Sequence, residues 1–520
     1  MVGGVGIGHT RRRTLGILGA VGAVMLDSGS QARPPSGTAP RVDHHYAGDP
    51  TGPGPATAPL PAAGSSPVVV ENARPGAIRF RLTGHRFATD RGGEIAGYVH
   101  ATSVAPGEEL RFQVSVARPQ RYRITVFRVG HYDGRGARQV AVSPWLDGSP
   151  QAAPTVDPAT GAVRCGWRTE WRPTVALDWT SGLYLALLAS ATDHHQWIPF
   201  VVREPRRAGG ALLVLPTSTW QAYNRWPEDG RTGASLYYGF DSAGHRSAAH
   251  RARAVSHDRP YAGNGVPALA DRDIGFVQWV EGQGIDLAYA TSEDLHTGRV
   301  DPARYRAVVF PGHDEYWSVP MREAVLTARN SGTSLVFLGA NNCYWRIGYG
   351  ADGQDDRLVR CVKEKTPASG PLPLTIRWRS AGHAEQQFIG AQYVSVVDGH
   401  APLVVRGARH WFWAGTGVQD GDLIPEVVWG EADQCMPGFP EPTAAERTLL
   451  AESPYWHDGA PQRQQSQLYR ATSGAWVFAA GSLGWTRVLA DPAAADPRLA
   501  RATVNLLRRV VNGEPRAATY

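Results

Sequence analysis

The sequence predicts an α/β fold plus an all-β one: an N-terminal β-sandwich followed by a parallel sheet with helices on both sides. Two observations carry this. Residues 77–205 hold short alternating apolar runs separated by Gly, Pro and Asp clusters, the pattern of half-buried strands in a sandwich. Residues 206–513 hold continuous apolar runs, each ending in a turn and followed by a helical pattern. Runs apolar on both faces suit buried parallel strands.

The sandwich strands are read at Ile78–Leu82, Leu110–Val114, Tyr122–Phe127, Ser181–Leu188 and Ile198–Val202. In the α/β part, Ala211–Leu215, Arg306–Phe310, Ser334–Leu338 and Ala475–Ala480 read as strands. Ile274–Gln283, Met321–Asn330 and Arg498–Val511 read as helices. Residues 366–470 break the alternation and read as a β-rich insertion, and 514–520 as a tail.

Before the sandwich, Arg11–Arg13 precede the apolar stretch Leu15–Leu26, and Ser30-Gln31-Ala32 has a cleavage-site form. Residues 1–32 therefore read as a twin-arginine-like export signal, with a secreted or envelope-associated product. Residues 33–76 are rich in Pro, Gly and Ala and read as an extended linker.

Composition narrows the function. The chain has 520 residues, 42% hydrophobic and 19% charged, so it is globular rather than disordered. No apolar run is long enough for a membrane span beyond the signal. The formal charge of +6 is carried by scattered arginines, without the dense basic stripe that nucleic-acid binding needs. Lysine occurs only at Lys363 and Lys365. Of the four cysteines, Cys343 and Cys361 are the most plausible bridged pair by spacing.

Ligands of open α/β sheets bind beyond the carboxyl ends of the strands. Two polar clusters sit there. In Gly312–Ser318, His313, Asp314, Glu315 and Tyr316 place an imidazole, two carboxylates and a phenol in consecutive positions. These groups move protons or bind metal; the plainer reading of the acids and Ser318 is a helix cap. In Gly339–Arg346, the residues Asn341, Asn342, Cys343, Tyr344 and Arg346 offer amides, a thiol, a phenol and a guanidinium. They read as substrate-orienting groups, with Cys343 either a nucleophile or simply bridged or buried. Thr217–Trp226, with Asn224, can line the same edge. Ser256–Tyr261 in a Gly-rich loop reads as a lid or as plain loop, and Asp294-Leu295-His296 as a polar turn. Walker, Gly-x-Ser-x-Gly and HExxH patterns are absent.

Several of these segments are collinear with one family. Phe127–Arg138, Trp220–Asn224, Gly312–Ser318, Asn341–Arg346 and Phe388–Tyr393 resemble the large (beta) subunit of N,N-dimethylformamidase and its relatives. The resemblance implies a glutamine amidotransferase-like α/β domain, hydrolysis of small N-substituted formamides, and a mononuclear ferric iron held by two tyrosines and one glutamate. It carries over Tyr316 as one metal ligand. The second tyrosine is expected in the preceding helix, where Ile274–Val280 has none, and the glutamate before Phe388, where only Glu385 is near. The family enzyme also works with a small partner subunit.

Two readings follow. In the first, the chain hydrolyses a small amide or related C–N bond, with His313 or Glu315 as base, Tyr316 as metal ligand or proton donor, and Asn224, Asn341, Asn342, Tyr344 and Arg346 orienting substrate. In the second, it is a non-catalytic exported protein that binds a ligand such as a glycan, helped by its 17 tryptophans and 18 tyrosines. Homo-oligomerisation stays open.

Overall fold

The structure, a computed structural model, describes residues 66–78, 80–350, 356–363 and 375–513. The export signal, the tail and most of the proline-rich linker lie outside these residues, as does the start of the 366–470 region. The fold is mixed α/β and rich in strands, with few helices. No helix among the described residues is long and apolar enough to cross a membrane.

The first part carries two facing sheets. Ile95–Val99, Phe112–Val116 and Thr169–Trp171 form the smaller one, and Gln120–Val129, Gly182–Ser190 and His195–Val202 the middle of the larger. Ile124, Val126, Leu188 and Ile198 point between the sheets against Val99, Phe112 and Val114. The alternate residues Phe127, Val129, Leu183 and Leu185 are also buried, because a second layer covers the outer face. That layer includes the helix Ala270–Glu281, through Ala270, Ile274 and Val277. The larger sheet is thus packed on both sides along Gly182–Ser190 and His195–Val202, which are buried almost throughout, whereas Gln120–Val129 alternates until its end, toward the second part.

The second part is built on a seven-stranded sheet. Its order is Leu287–Thr291, Ala211–Leu215, Ala307–Phe310, Ser334–Phe337, Trp476–Ala479, Ala460–Ala471 and Ala444–His457. The first five strands are parallel and the last two antiparallel. The Ala444–Ala471 hairpin, expected as part of an insertion, therefore extends the central sheet. The helix Val319–Asn330 starts at Ser318, whose Oγ accepts the Met321 amide, with Pro320 in the first turn. The helix Pro497–Asn512 starts at Asp496 in the same way and buries Leu499, Leu506 and Leu507.

Three expectations change. Pro67–Asn72, inside the expected linker, is a short helix with Val68 and Glu71 buried. All four cysteines are free, so Cys343 and Cys361 are not bridged. Eight of the 17 tryptophans are buried, Trp197, Trp317 and Trp485 fully, so these fill core, whereas Trp145 and Trp456 are exposed.

The segment Phe127–Arg138 is the joint between the two parts. Arg128, fully enclosed, makes a two-pronged contact with Glu281 at 2.8 and 2.9 Å. Glu281 also accepts from Tyr289 and Asn72, and Tyr132 donates to Glu71. Each charge here has a partner, as a buried charge requires.

Candidate active site

The site lies beyond the carboxyl ends of the two middle strands. After Ala307–Phe310 the chain runs through Gly312 to Glu315, and after Ser334–Phe337 it runs through Gly339 to Cys343. The two loops cross so closely that a Cβ on Gly339 would meet the Gly312 carbonyl oxygen at 2.3 Å. A Cβ on Gly312 would meet the Asp273 carboxylate at 2.3 Å. At Gly339 the clash is with backbone, so only glycine fits there; at Gly312 a side chain would displace the Asp273 carboxylate. The helix Thr217–Tyr223 pins the first loop from the side. Its Thr219 Oγ1 accepts the Glu315 and Tyr316 amides, and Ser218 Oγ donates to the Tyr316 carbonyl.

This arrangement brings two phenols onto one carboxylate. Tyr223 Oη is 2.8 Å from Glu315 Oε2, Tyr237 Oη is 2.7 Å from it, and the two hydroxyls are 2.7 Å apart. His313 Nε2 completes the group, 3.1 Å from Tyr223 Oη and 3.3 Å from Glu315 Oε2. On its other side, His313 Nδ1 faces the Ala340 carbonyl at 3.2 Å and Glu431 Oε2 at 3.6 Å.

Burial opposes charge on His313, but the Glu431 and Glu315 carboxylates outweigh it and hold the imidazole up at about 9. Burial also opposes charge on Glu315; the bond and charge of His313, with Lys363 behind, bring its carboxyl below the usual range. Glu431 is pushed up by burial and by the nearby Glu315. Burial raises Asp273 and Asp433 to about 7 and Asp314 to about 8. Both Asp314 carboxylate oxygens and Glu431 Oε2 are buried without a hydrogen-bond partner.

The structure places the expected residues unevenly. His313, Glu315 and Asn341 meet at the centre. Asn341 takes a left-handed conformation (φ 54°), which asparagine tolerates, and its amide N–H donates to Asp433 at 2.8 Å. Tyr344 lies at the rim, half-buried against Tyr393. Tyr316 is enclosed, and its hydroxyl accepts from Lys363 Nζ at 2.6 Å instead of reaching Glu315. Asn342 is buried behind the site, where its Oδ1 accepts the Asp314 amide. Asn224 is fully used by the fold: it binds Gln221, the Pro260 carbonyl, and the Trp226 and Ala262 amides. Arg346 is exposed and sits over Trp378. Cys343 is enclosed beside Arg322, and burial pushes its thiol up to about 12, away from the thiolate that an activated nucleophile needs.

Two outlying segments are structural. The expected lid is interior, with His257 3.1 Å from Glu293 and Arg259 bound to the carbonyls of Asn224, Trp226 and Ala234. Asp294 caps its own helix and accepts from Ser103.

Tyr237, Lys363, Glu431 and Asp433 were not singled out from the sequence. Lys363 alone carried a signal, as one of two lysines in a chain that otherwise uses arginine.

A family model described as N,N-dimethylformamidase beta subunit-like, C-terminal, matches residues 123–497. The chain belongs to this family. The matched span covers both middle-sheet loops, the helix bearing Tyr223, and the Arg128–Glu281 joint. No curated protein matches the chain. Among solved structures, a cycloisomaltooligosaccharide glucanotransferase of Paenibacillus sp., complexed with cycloisomaltoheptaose, aligns at 9% identity and a TM-score of 0.16. The alignment covers 60% of this chain and 61% of that one.

Two tyrosines and one glutamate do meet in this protein, but they are Tyr223, Tyr237 and Glu315, not the set that Tyr316 would have anchored. Their three oxygens lie within 2.7–2.8 Å of one another. Phenolate and carboxylate are hard donors that suit a ferric ion. On the other side of His313, Glu431 keeps a buried oxygen without a hydrogen-bond partner. The donor set fits the iron that the family resemblance implies.

Proposed function

We propose that the protein is a hydrolase of a small linear amide, acting at the Tyr223–Tyr237–Glu315 cluster. The convergence of those three oxygens, with His313 beside them, carries the proposal. Tyr223, Tyr237 and Glu315 would hold the iron. When bound, it would polarise the amide carbonyl and lower the pKa of an attacking water.

The remaining steps fall to the chain's own side chains. Water adds to the carbonyl carbon, the C–N bond breaks, and the amine must leave with a proton. His313 holds a proton inside the cluster and is placed to deliver it. Glu431, next to His313 and raised by burial, can take up the proton that water releases. Asn341 faces the same space with an unpaired Oδ1 that can accept from a substrate N–H. Tyr344 and Tyr393, half-buried at the rim, limit the site to a small substrate. An amidotransferase-like topology accords with the five parallel strands and the loops at their carboxyl ends. The arginine-led apolar N-terminus supports export of the protein.

The test is metal analysis with an amide panel. Wild-type protein is expected to hold about one iron per chain, with a visible tyrosinate-to-iron charge-transfer band, and to release amine from small formamides. Tyr223→Phe and Tyr237→Phe are each expected to lose the band and the activity, whereas Tyr316→Phe keeps the metal. A wild-type protein that folds, binds no metal and cleaves no amide would overturn the reading.

A further inference from the structure

A second recess lies on the far side of Lys363. It encloses about 540 Å³ and is formed between the hairpin Thr155–Arg164 and the stretch from Arg231 to Arg253. That volume is in the range of small-molecule sites. Arg231, His250, Arg251, Arg253 and Lys363 line it, and no acidic residue does among the described residues. The chain as a whole has nearly as many acids as bases, 47 against 53, so a wall with only cations is a local segregation. No carboxylate pairs with Arg231, Arg251 or Lys363 among the described residues. Arg251 spends one N–H on the Ala248 carbonyl, and Lys363 one on Tyr316 Oη.

The rest of the lining is mixed: Thr160 and Thr232 sit among Val156 and Pro158 of the hairpin and Ala234 and Phe240 of the other segment, which supply its apolar part. This apolar part gives little to a fully hydrated inorganic ion, but it suits the carbon body of an organic acid. Arginine matches a carboxylate in a planar, two-pronged way.

Lys363 is the wall shared with the active site. Its ammonium lies 3.7 Å from the Tyr237 ring centre, 4.8 Å from that of Trp345, and 2.6 Å from Tyr316 Oη. An anion that draws on Lys363 therefore acts one side chain away from the Tyr223–Tyr237–Glu315 cluster.

We propose that this recess is a binding site for a small organic carboxylate, with Arg231 and Arg251 holding the carboxylate and Lys363 closing the floor. The site stands on its own lining and does not depend on amide hydrolysis.

The experiment titrates succinate into the full-length protein, read by calorimetry. Saturable binding of one succinate per chain is expected, with Kd below about 1 mM. Arg251→Gln and Arg231→Gln are each expected to weaken it by about 10-fold, while their melting temperatures stay at the wild-type value. Absence of saturation, or an affinity that neither substitution changes, overturns the proposal. So does inorganic phosphate binding more tightly than succinate, because the apolar part of the lining would then contribute nothing. Because the readout needs no turnover, failure here leaves the amide-hydrolase reading standing, and loss of that reading leaves this one untouched.

Discussion

Two buried charge networks of this protein are built from similar residues and end in opposite states. At the joint, Arg128, Glu281, Glu71, Tyr132 and Tyr289 satisfy one another; both Glu281 oxygens accept two hydrogen bonds each. In the active site, His313, Glu315 and two tyrosines also meet, yet Asp314, Asn341 and Glu431 keep buried oxygens without partners. A closed network has nothing left to offer a ligand and serves as a fastener. An open one retains the cost of burial until something binds. The Glu293 network shows the same rule from its closed side. Burial works against the charge of Glu293, yet His257, Thr217 and Tyr349 bring it down to about 2. Asp314, equally buried and unpartnered, is pushed up to about 8.

The comparison can be broken most sharply at the joint. Glu281→Ala leaves Arg128 charged and enclosed, and is expected to cost about 3–5 kcal/mol in denaturant unfolding. Iron per folded chain should not change. A loss below 1 kcal/mol would mean that the joint is hydrated and not a fastener.

Acid is expected to reach the closed Glu293 network next. Its folded carboxyl titrates at about 2, against 4.5 for an ordinary glutamate. A depressed pKa contributes stability that is fully present above pH 4.5 and is lost as the pH falls through 2. The contribution is about 3 kcal/mol. Melting temperature followed from pH 6 down to pH 2 should fall in this window, and Glu293→Gln should flatten the fall.

The open network predicts the reverse pattern. Glu315→Gln is expected to reduce metal affinity by about 100-fold or more while the protein remains folded, read by elemental analysis and circular dichroism. Glu431→Gln, which removes the acid facing His313 Nδ1, should slow amide cleavage by about 100-fold while the protein remains folded, read by amine release and circular dichroism. The smallest effect is expected at Arg346→Ala, where an exposed side chain outside the site should leave stability within about 0.5 kcal/mol and activity at the wild-type level.

Much of the fold is legible in the sequence because its signals are local. Ala211–Leu215 and Ser334–Phe337 announce themselves as buried strands by unbroken apolar runs, and Pro497–Asn512 by its apolar stripe. The helix Pro67–Asn72 was hidden because it is short, holds three β-branched valines and follows a proline-rich stretch; the Ser66 cap and the docking of Val68, Glu71 and Asn72 hold it. In the site, His313 and Glu315 were visible because a loop after a strand has no packing reason to gather such groups. Tyr237 and Glu431 were not, because each comes from a segment far along the chain with no periodic or motif signal of its own.

The sequence by itself determined the central strands and the longer helices that follow them. Hydrophobic period and turn chemistry act over a few residues, so they survive in one dimension. The tertiary structure alone decided which polar groups meet. It turned Asn224 into a brace and Arg346 outward, moved Tyr316 onto Lys363, and delivered Tyr237 and Glu431 to His313 and Glu315. Those outcomes depend on two loops crossing at Gly312 and Gly339 and on what the packing leaves unpaired. They are properties of a three-dimensional enclosure, where a buried charge must find its partner wherever in the chain that partner lies.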